Sequence, residues 1–182
     1  MSSTKKITYL ALLSSLAIVI GVFESILPAP FPFAPGAKLG LPNLITILGL
    51  FTLRKREVWL FIFIRLLVQM LLMGTASTFI YSLAGAVLSG FFMMLVKMLG
   101  AKRVSIIGIS SIGGFFHNLG QLIVASWIAG TFSVLNYLPI LSIIGILCGI
   151  VIGIAGNYLL IHIQFLKKAV FLMDREDAWL QD

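Results

Sequence analysis

The chain has 182 residues, of which 60% are apolar and 10% charged, and it carries a formal charge of +7. Soluble domains are about 45 to 50% apolar and about 25% charged, so a water-soluble enzyme is excluded and the surplus apolar surface must face lipid. Stretches such as 106–112 and 140–154 lack the strict polar alternation of barrel strands, which argues against a transmembrane β-barrel.

Charges and turn residues cut the chain into six candidate helices, over 7–27, 41–53, 57–73, 79–99, 106–130 and 137–166. Five approach the roughly 17 to 25 residues that a spanning helix needs. The second is short unless it extends back through Gly36 to Gly40, and is read as a short or tilted span. The first follows Lys5 and Lys6. Its apolar run exceeds the about 7 to 15 residues of a signal-peptide core, so it is taken as a membrane helix. Residues 28–42 form a Pro-rich outer loop, with four prolines between Pro28 and Pro35 that forbid a helix. The remaining connections are short, which favours antiparallel neighbours within one domain spanning residues 1–182. The tail, 167–182, is polar, and Trp179 is suited to the membrane interface.

Lys and Arg set the orientation. Eleven of the thirteen fall on one side: Lys5, Lys6, Arg54, Lys55, Arg56, Lys97, Lys102, Arg103, Lys167, Lys168 and Arg175. By the positive-inside rule both termini and the tail are cytoplasmic, and the basic excess reflects topology and contact with the lipid bilayer rather than nucleic acid. The expected architecture is an all-α integral membrane protein, a six-transmembrane-helix bundle.

Few polar groups fall inside the spans. Arg65 lies eight residues beyond Glu57, about 12 Å along the helix axis, which is too deep to snorkel easily. Gln69 shares its face at i+4. The fifth span carries His117, Asn118 and Gln121, with His117 and Gln121 one turn apart. Such groups can simply brace the bundle, and that is the preferred reading for Gln69 alone. As a set they predict a polar cavity for a small-molecule ligand. Glu24 is placed at the outer end of the first span and the other acids in the cytoplasm. The cavity is thus expected to lack a counter-charge to Arg65 and to prefer an anion or carboxylate. Lys38 and Asn43 could add donors from the outer loop, although Lys38 could equally pair with Glu24.

Gly145, Gly149 and Gly153 recur at i+4 and predict close helix packing within the bundle. Ala11 and Ser15 form a small-xxx-small pair suited to a partner subunit. No paired carboxylate lies at membrane depth for acid–base work, no Cys and His cluster has metal spacing, and no phosphate-binding loop occurs, so the chain is expected to be no enzyme and to need no cofactor. His162 is read as interfacial. The lone Cys148 allows no intramolecular disulfide.

The strings Pro35-Gly-Ala-Lys-Leu-Gly-Leu-Pro-Asn43, Phe79-Ile-Tyr-Ser-Leu-Ala-Gly85, Ser105-Ile-Ile-Gly-Ile-Ser-Ser111 and His117-Asn-Leu-Gly-Gln121, with the Arg65 helix, resemble the bacterial membrane family called heptaprenyl diphosphate synthase component I, or Gx transporter. That family is similar to the substrate-binding S components of energy-coupling factor (ECF) transporters. The resemblance implies a six-helix protein of the bacterial cell membrane that binds a vitamin or related metabolite under its first outer loop. It also implies docking through Ala11 and Ser15 to a transmembrane coupling subunit driven by two ATPases. Prenyl diphosphate synthases need aspartate-rich motifs to hold magnesium and diphosphate. Here the only aspartates are Asp174, Asp177 and Asp182, never adjacent, so prenyl transfer by this chain is not expected. The alternative is a non-transporting membrane partner of an isoprenoid, quinone or redox enzyme.

Overall fold

The structure, a computed structural model, describes residues 3–26, 38–73 and 76–163, together with 165, 166, 168 and 179. Six α-helices run in order: α1 (Ser3–Ile26), α2 (Asn43–Thr52), α3 (Lys55–Met73), α4 (Ala76–Lys97), α5 (Ile106–Ala129) and α6 (Leu138–His162). A 3-10 helix, Phe132–Tyr137, leads into α6 and has no counterpart among the expected elements. No boundary of an α-helix lies more than four residues from its expected position. Four stretches are long and apolar enough to cross a membrane, Thr4–Ile26, Ala76–Lys97, Ile106–Ala129 and Phe132–His162. The protein is an all-helical, multi-pass membrane protein.

The second helix does not extend backwards. Residues 38–40 are non-helical, and Gly40 takes a left-handed φ of 87° that turns the chain into Leu41-Pro42. α2 therefore has ten residues and is about 15 Å long, half the thickness of a bilayer core. All of it except Leu44 is buried. Residues 28–37 of the Pro-rich loop lie outside the described residues, as does the tail 167–182 apart from Lys168 and Trp179. The half-buried Trp179 ring packs edge-on against Phe51, with centroids 5.2 Å apart, so at that point the tail touches the bundle.

Lipid dissolves leucine as well as a protein core does, so close helix approach relies on small residues placed beside a buried apolar core that includes Leu13, Phe51, Phe61 and Leu160. Leu12, Leu16, Val19 and Phe23 of α1 and Ile143, Leu147, Val151 and Ile154 of α6 point outward. The inner face of α6 carries Gly145, Gly149, Gly153 and Gly156 beside Leu141, Ile152 and Leu160. A Cβ on Gly149 would lie 2.6 Å from Ser110 O, and one on Gly153 would lie 2.7 Å from Ile107 Cα, so α5 and α6 meet backbone to backbone as the glycine spacing predicted. α4 and α5 do the same at Gly120, where a Cβ would come within 2.6 Å of Ala84 O.

Local caps finish the frame. Ser105 Oγ accepts from Gly108 N at 3.0 Å to start α5, and Gly130, with φ 63°, ends it. At the basic end, Lys6 pairs with Glu57 at 2.5 Å, tying α1 to α3, and the Tyr9 hydroxyl bonds Thr52 Oγ1 at 2.8 Å. His162 is exposed, with Nδ1 3.0 Å from Tyr158 O, consistent with an interfacial residue.

Candidate functional site

The length of α2 decides where the polar residues meet. α2 and α3 are joined by the short turn at Leu53 and Arg54, so Asn43 and Arg65 each lie about ten residues, roughly 15 Å, from that turn. His117 is eleven residues into α5, at about the same depth. Because α2 stops halfway, residues 38–42 must descend into the bundle to reach it. The descending segment meets Arg65, Gln69 and His117.

A cavity of about 20 Å³ opens at this level, lined by Glu24, Lys38, Asn43, Arg65, Gln69 and His117 among others. A second, of about 10 Å³, shares Lys38, Gln69 and Ser82 with it. Each has room for about one water molecule. The seven predicted polar residues divide clearly: Arg65, Gln69, His117, Lys38 and Asn43 come together, whereas Asn118 and Gln121 are used elsewhere. Asn118 Nδ2 donates to Leu141 O at 2.8 Å and ties α5 to α6. Gln121 receives the Lys38 N–H at 2.7 Å and returns a bond to Lys38 O at 2.8 Å, clasping the outer segment by its backbone.

The expectation of a pocket without an acid is corrected. Glu24 is buried and lines the same cavity as Arg65, because the descending segment folds against the end of α1. Its Oε1 accepts from Gly40 N at 2.6 Å and Leu41 N at 3.1 Å. Lys38 does not spend its ammonium on that carboxyl group but donates to Ser25 Oγ at 2.7 Å.

What remains is an uncommon number of buried polar atoms without partners. Glu24 Oε2, Asn43 Nδ2, Arg65 Nε, Gln69 Nε2 and both ring nitrogens of His117 have no hydrogen bond among the described residues. Native interiors leave few such atoms, since each costs about 1 to 3 kcal/mol. Arg65 is 3% exposed and makes no ion pair among the described residues, its guanidinium carbon standing 6.0 Å from the Phe61 ring centre. Two glycines hold the imidazole in place. A Cβ on Gly85 would lie 2.8 Å from His117 Nδ1, and one on Gly40 3.0 Å from Nε2. Gly21 of α1 gives way in the same manner to the Gln69 amide.

Gly40→Ala is expected to damage this arrangement twice, through its left-handed backbone and through the imidazole beneath it. The left-handed strain alone is about 1 to 2 kcal/mol. The measurement is thermal unfolding of the purified variant, and an unchanged midpoint would contradict the reading.

Sequence reasoning missed Glu24 as a cavity residue. The available signal was that it is an acid inside the first predicted span, four residues before Pro28. It also missed Gly21, Gly40 and Gly85, whose part is to leave space. Among the described residues no three of His, Cys, Asp and Glu gather as a metal site requires. Ala11 and Ser15 lie exposed on the outward face of α1, with Ser15 Oγ donating to Ala11 O at 2.9 Å.

No curated protein and no solved structure matches the chain. The family described as heptaprenyl diphosphate synthase component I matches residues 13–159, which contain the whole cavity.

Proposed function

We infer that this chain, which belongs to the heptaprenyl diphosphate synthase component I family, is the substrate-binding membrane subunit of a transporter for a small metabolite carrying an anionic group. The observation that carries the reading is the set of unpartnered polar atoms around Arg65, buried beneath a segment that is itself held by removable hydrogen bonds. A scaffold brace would use its donors, whereas a binding site keeps them for a guest. On this reading Arg65 neutralises the anion, and Asn43, Gln69 and His117 orient it. Gln121 and Glu24 fasten the lid.

The topology that goes with it has six spans, with α2 crossing only through the help of residues 38–42, and both termini in the cytoplasm of a bacterial cell. The polar cavity then opens outward beneath residues 38–42. The cavities now hold about one water each, so a metabolite enters only after residues 38–42 lift. The ECF-like version adds a transmembrane coupling subunit and two ATPase subunits, docked on Ala11 and Ser15. The chain itself performs no chemistry in this scheme and takes no cofactor. The family description favours a second reading, a non-transporting partner of a prenyl diphosphate synthase, in which an isoprenoid or quinone precursor is held rather than moved.

Native mass spectrometry of the protein purified from its own membranes separates these readings. A small anionic metabolite, lost in Arg65→Ala, is expected for transport; an empty chain that retains a biosynthetic enzyme would overturn it. Co-purifying ATPases are expected to disappear when Ala11 and Ser15 are both replaced by tryptophan. Their retention would remove the proposed docking face.

The lid can be tested separately. Gln121→Leu deletes both bonds to the Lys38 backbone, each worth about 1 kcal/mol net. Hydrogen exchange at residues 38–41 is expected to accelerate roughly tenfold or more, while α5 and α6 stay protected. Unchanged exchange would mean that other contacts hold the segment down.

A further inference from the structure

Arg65 explains an anion, but Glu24 is left over. Its side chain is 5% exposed, Oε1 is committed to the lid, and Oε2 is buried without a partner among the described residues. Around the same cavity the other unsatisfied groups of Asn43, Arg65 and Gln69 are donors, while the imidazole of His117 offers one donor and one acceptor nitrogen. A ligand that only accepts would satisfy them and leave the carboxyl oxygen of Glu24 facing a like charge with no water. Lys38 does not relieve this, since its ammonium donates to Ser25 Oγ. Arg65 and Glu24 line one cavity without forming an ion pair, so the site is a pair of separated opposite charges. The complement of such a pair is a molecule with its own separated charges.

Resting on the transport reading above, we propose that the ligand is a zwitterion of the amino-carboxylate class, its carboxylate received by Arg65 and its protonated amine donating to Glu24 Oε2. The amine makes a charge-assisted hydrogen bond in a place that excludes water, where such bonds are strongest. Because Glu24 also fastens Gly40 and Leu41 through Oε1, the group that reads the amine is the group that holds the lid. A bound amine would fix the carboxyl rotamer that closes it.

The test uses the full chain in lipid nanodiscs and three matched series: glycine, β-alanine and longer ω-amino carboxylates; the corresponding carboxylates; and the corresponding alkyl amines. Binding is read by isothermal titration calorimetry. At least one zwitterion is expected to bind roughly tenfold or more tightly than its matched carboxylate, the worth of one hydrogen bond to a charged group. Glu24→Gln keeps Oε1 for the lid and is expected to bring that ratio close to one. Should that variant fail to fold, the comparison in the wild-type protein decides alone. Carboxylates that bind as tightly as their zwitterions overturn the zwitterion proposal and leave the anion pocket standing. Absence of binding by every zwitterion also overturns it. Binding that is indifferent to Arg65→Gln overturns the pocket reading as well.

Discussion

Arg65→Gln is expected to abolish the response to ligand and to leave the ligand-free bundle folded. Removing the charged partner of a buried, hydrogen-bonded ligand group typically costs about 2 to 5 kcal/mol, a loss of roughly thirtyfold or more in affinity. The bundle should tolerate the change, because Arg65 Nε bonds nothing and the guanidinium makes no ion pair among the described residues. A buried charge in that condition is itself unfavourable, and a neutral amide of smaller volume relieves part of the desolvation. Thermal unfolding without ligand and calorimetry with it separate the two effects. A variant that melts much earlier yet still binds would identify Arg65 as a brace. Arg65→Lys, which keeps the charge and loses the planar fork, is expected to fall between.

Gly145→Val is expected to be among the most damaging substitutions in the chain. A Cβ there would sit 2.6 Å from Gly114 O and 2.8 Å from Asn118 Nδ2, and the first of these is backbone that cannot rotate aside. The helices must separate, which also pulls Leu141 O away from Asn118. Overpacking costs about 1 to 3 kcal/mol where side chains can adjust, so about 3 kcal/mol or more is expected here. Gly108→Ala is the control. Its nearest neighbour would be Ser105 Oγ at 3.5 Å, and its effect should stay within about 0.5 kcal/mol. Melting midpoints and the monodisperse fraction in detergent measure both. Equal behaviour of the two variants would contradict the backbone contact between α5 and α6.

The helices were legible in the sequence because a bilayer demands long uncharged runs, and charges or prolines end them visibly. The glycine stripe of α6 was legible for the same reason, as small residues have little other use on a helix that faces lipid on its far side. Arg65 and His117 stood out through their cost in hydrocarbon. Their partners were harder to assign. Asn118 and Gln121 share the depth of His117, but one turn of a helix points its residues in different directions, and only tertiary packing decides that Asn118 meets Leu141 while Gln121 meets Lys38. Glu24 was hidden by distance along the chain from the residues it joins. The descent of residues 38–42 follows from how far α2 fails to extend, and helix ends are the least determined feature of a periodic pattern.

A ten-residue α2 also has an electrical side. On the proposed topology the column above it, once the lid lifts, would conduct the aqueous boundary down to Arg65, so a solute arriving there would have crossed about half of the transmembrane voltage of a polarised cell. For each elementary charge that amounts to roughly 1 kcal/mol for every 100 mV. With the interior negative, a bare anion would be repelled on the way in, whereas a solute of zero net charge would load equally well in resting and energised cells.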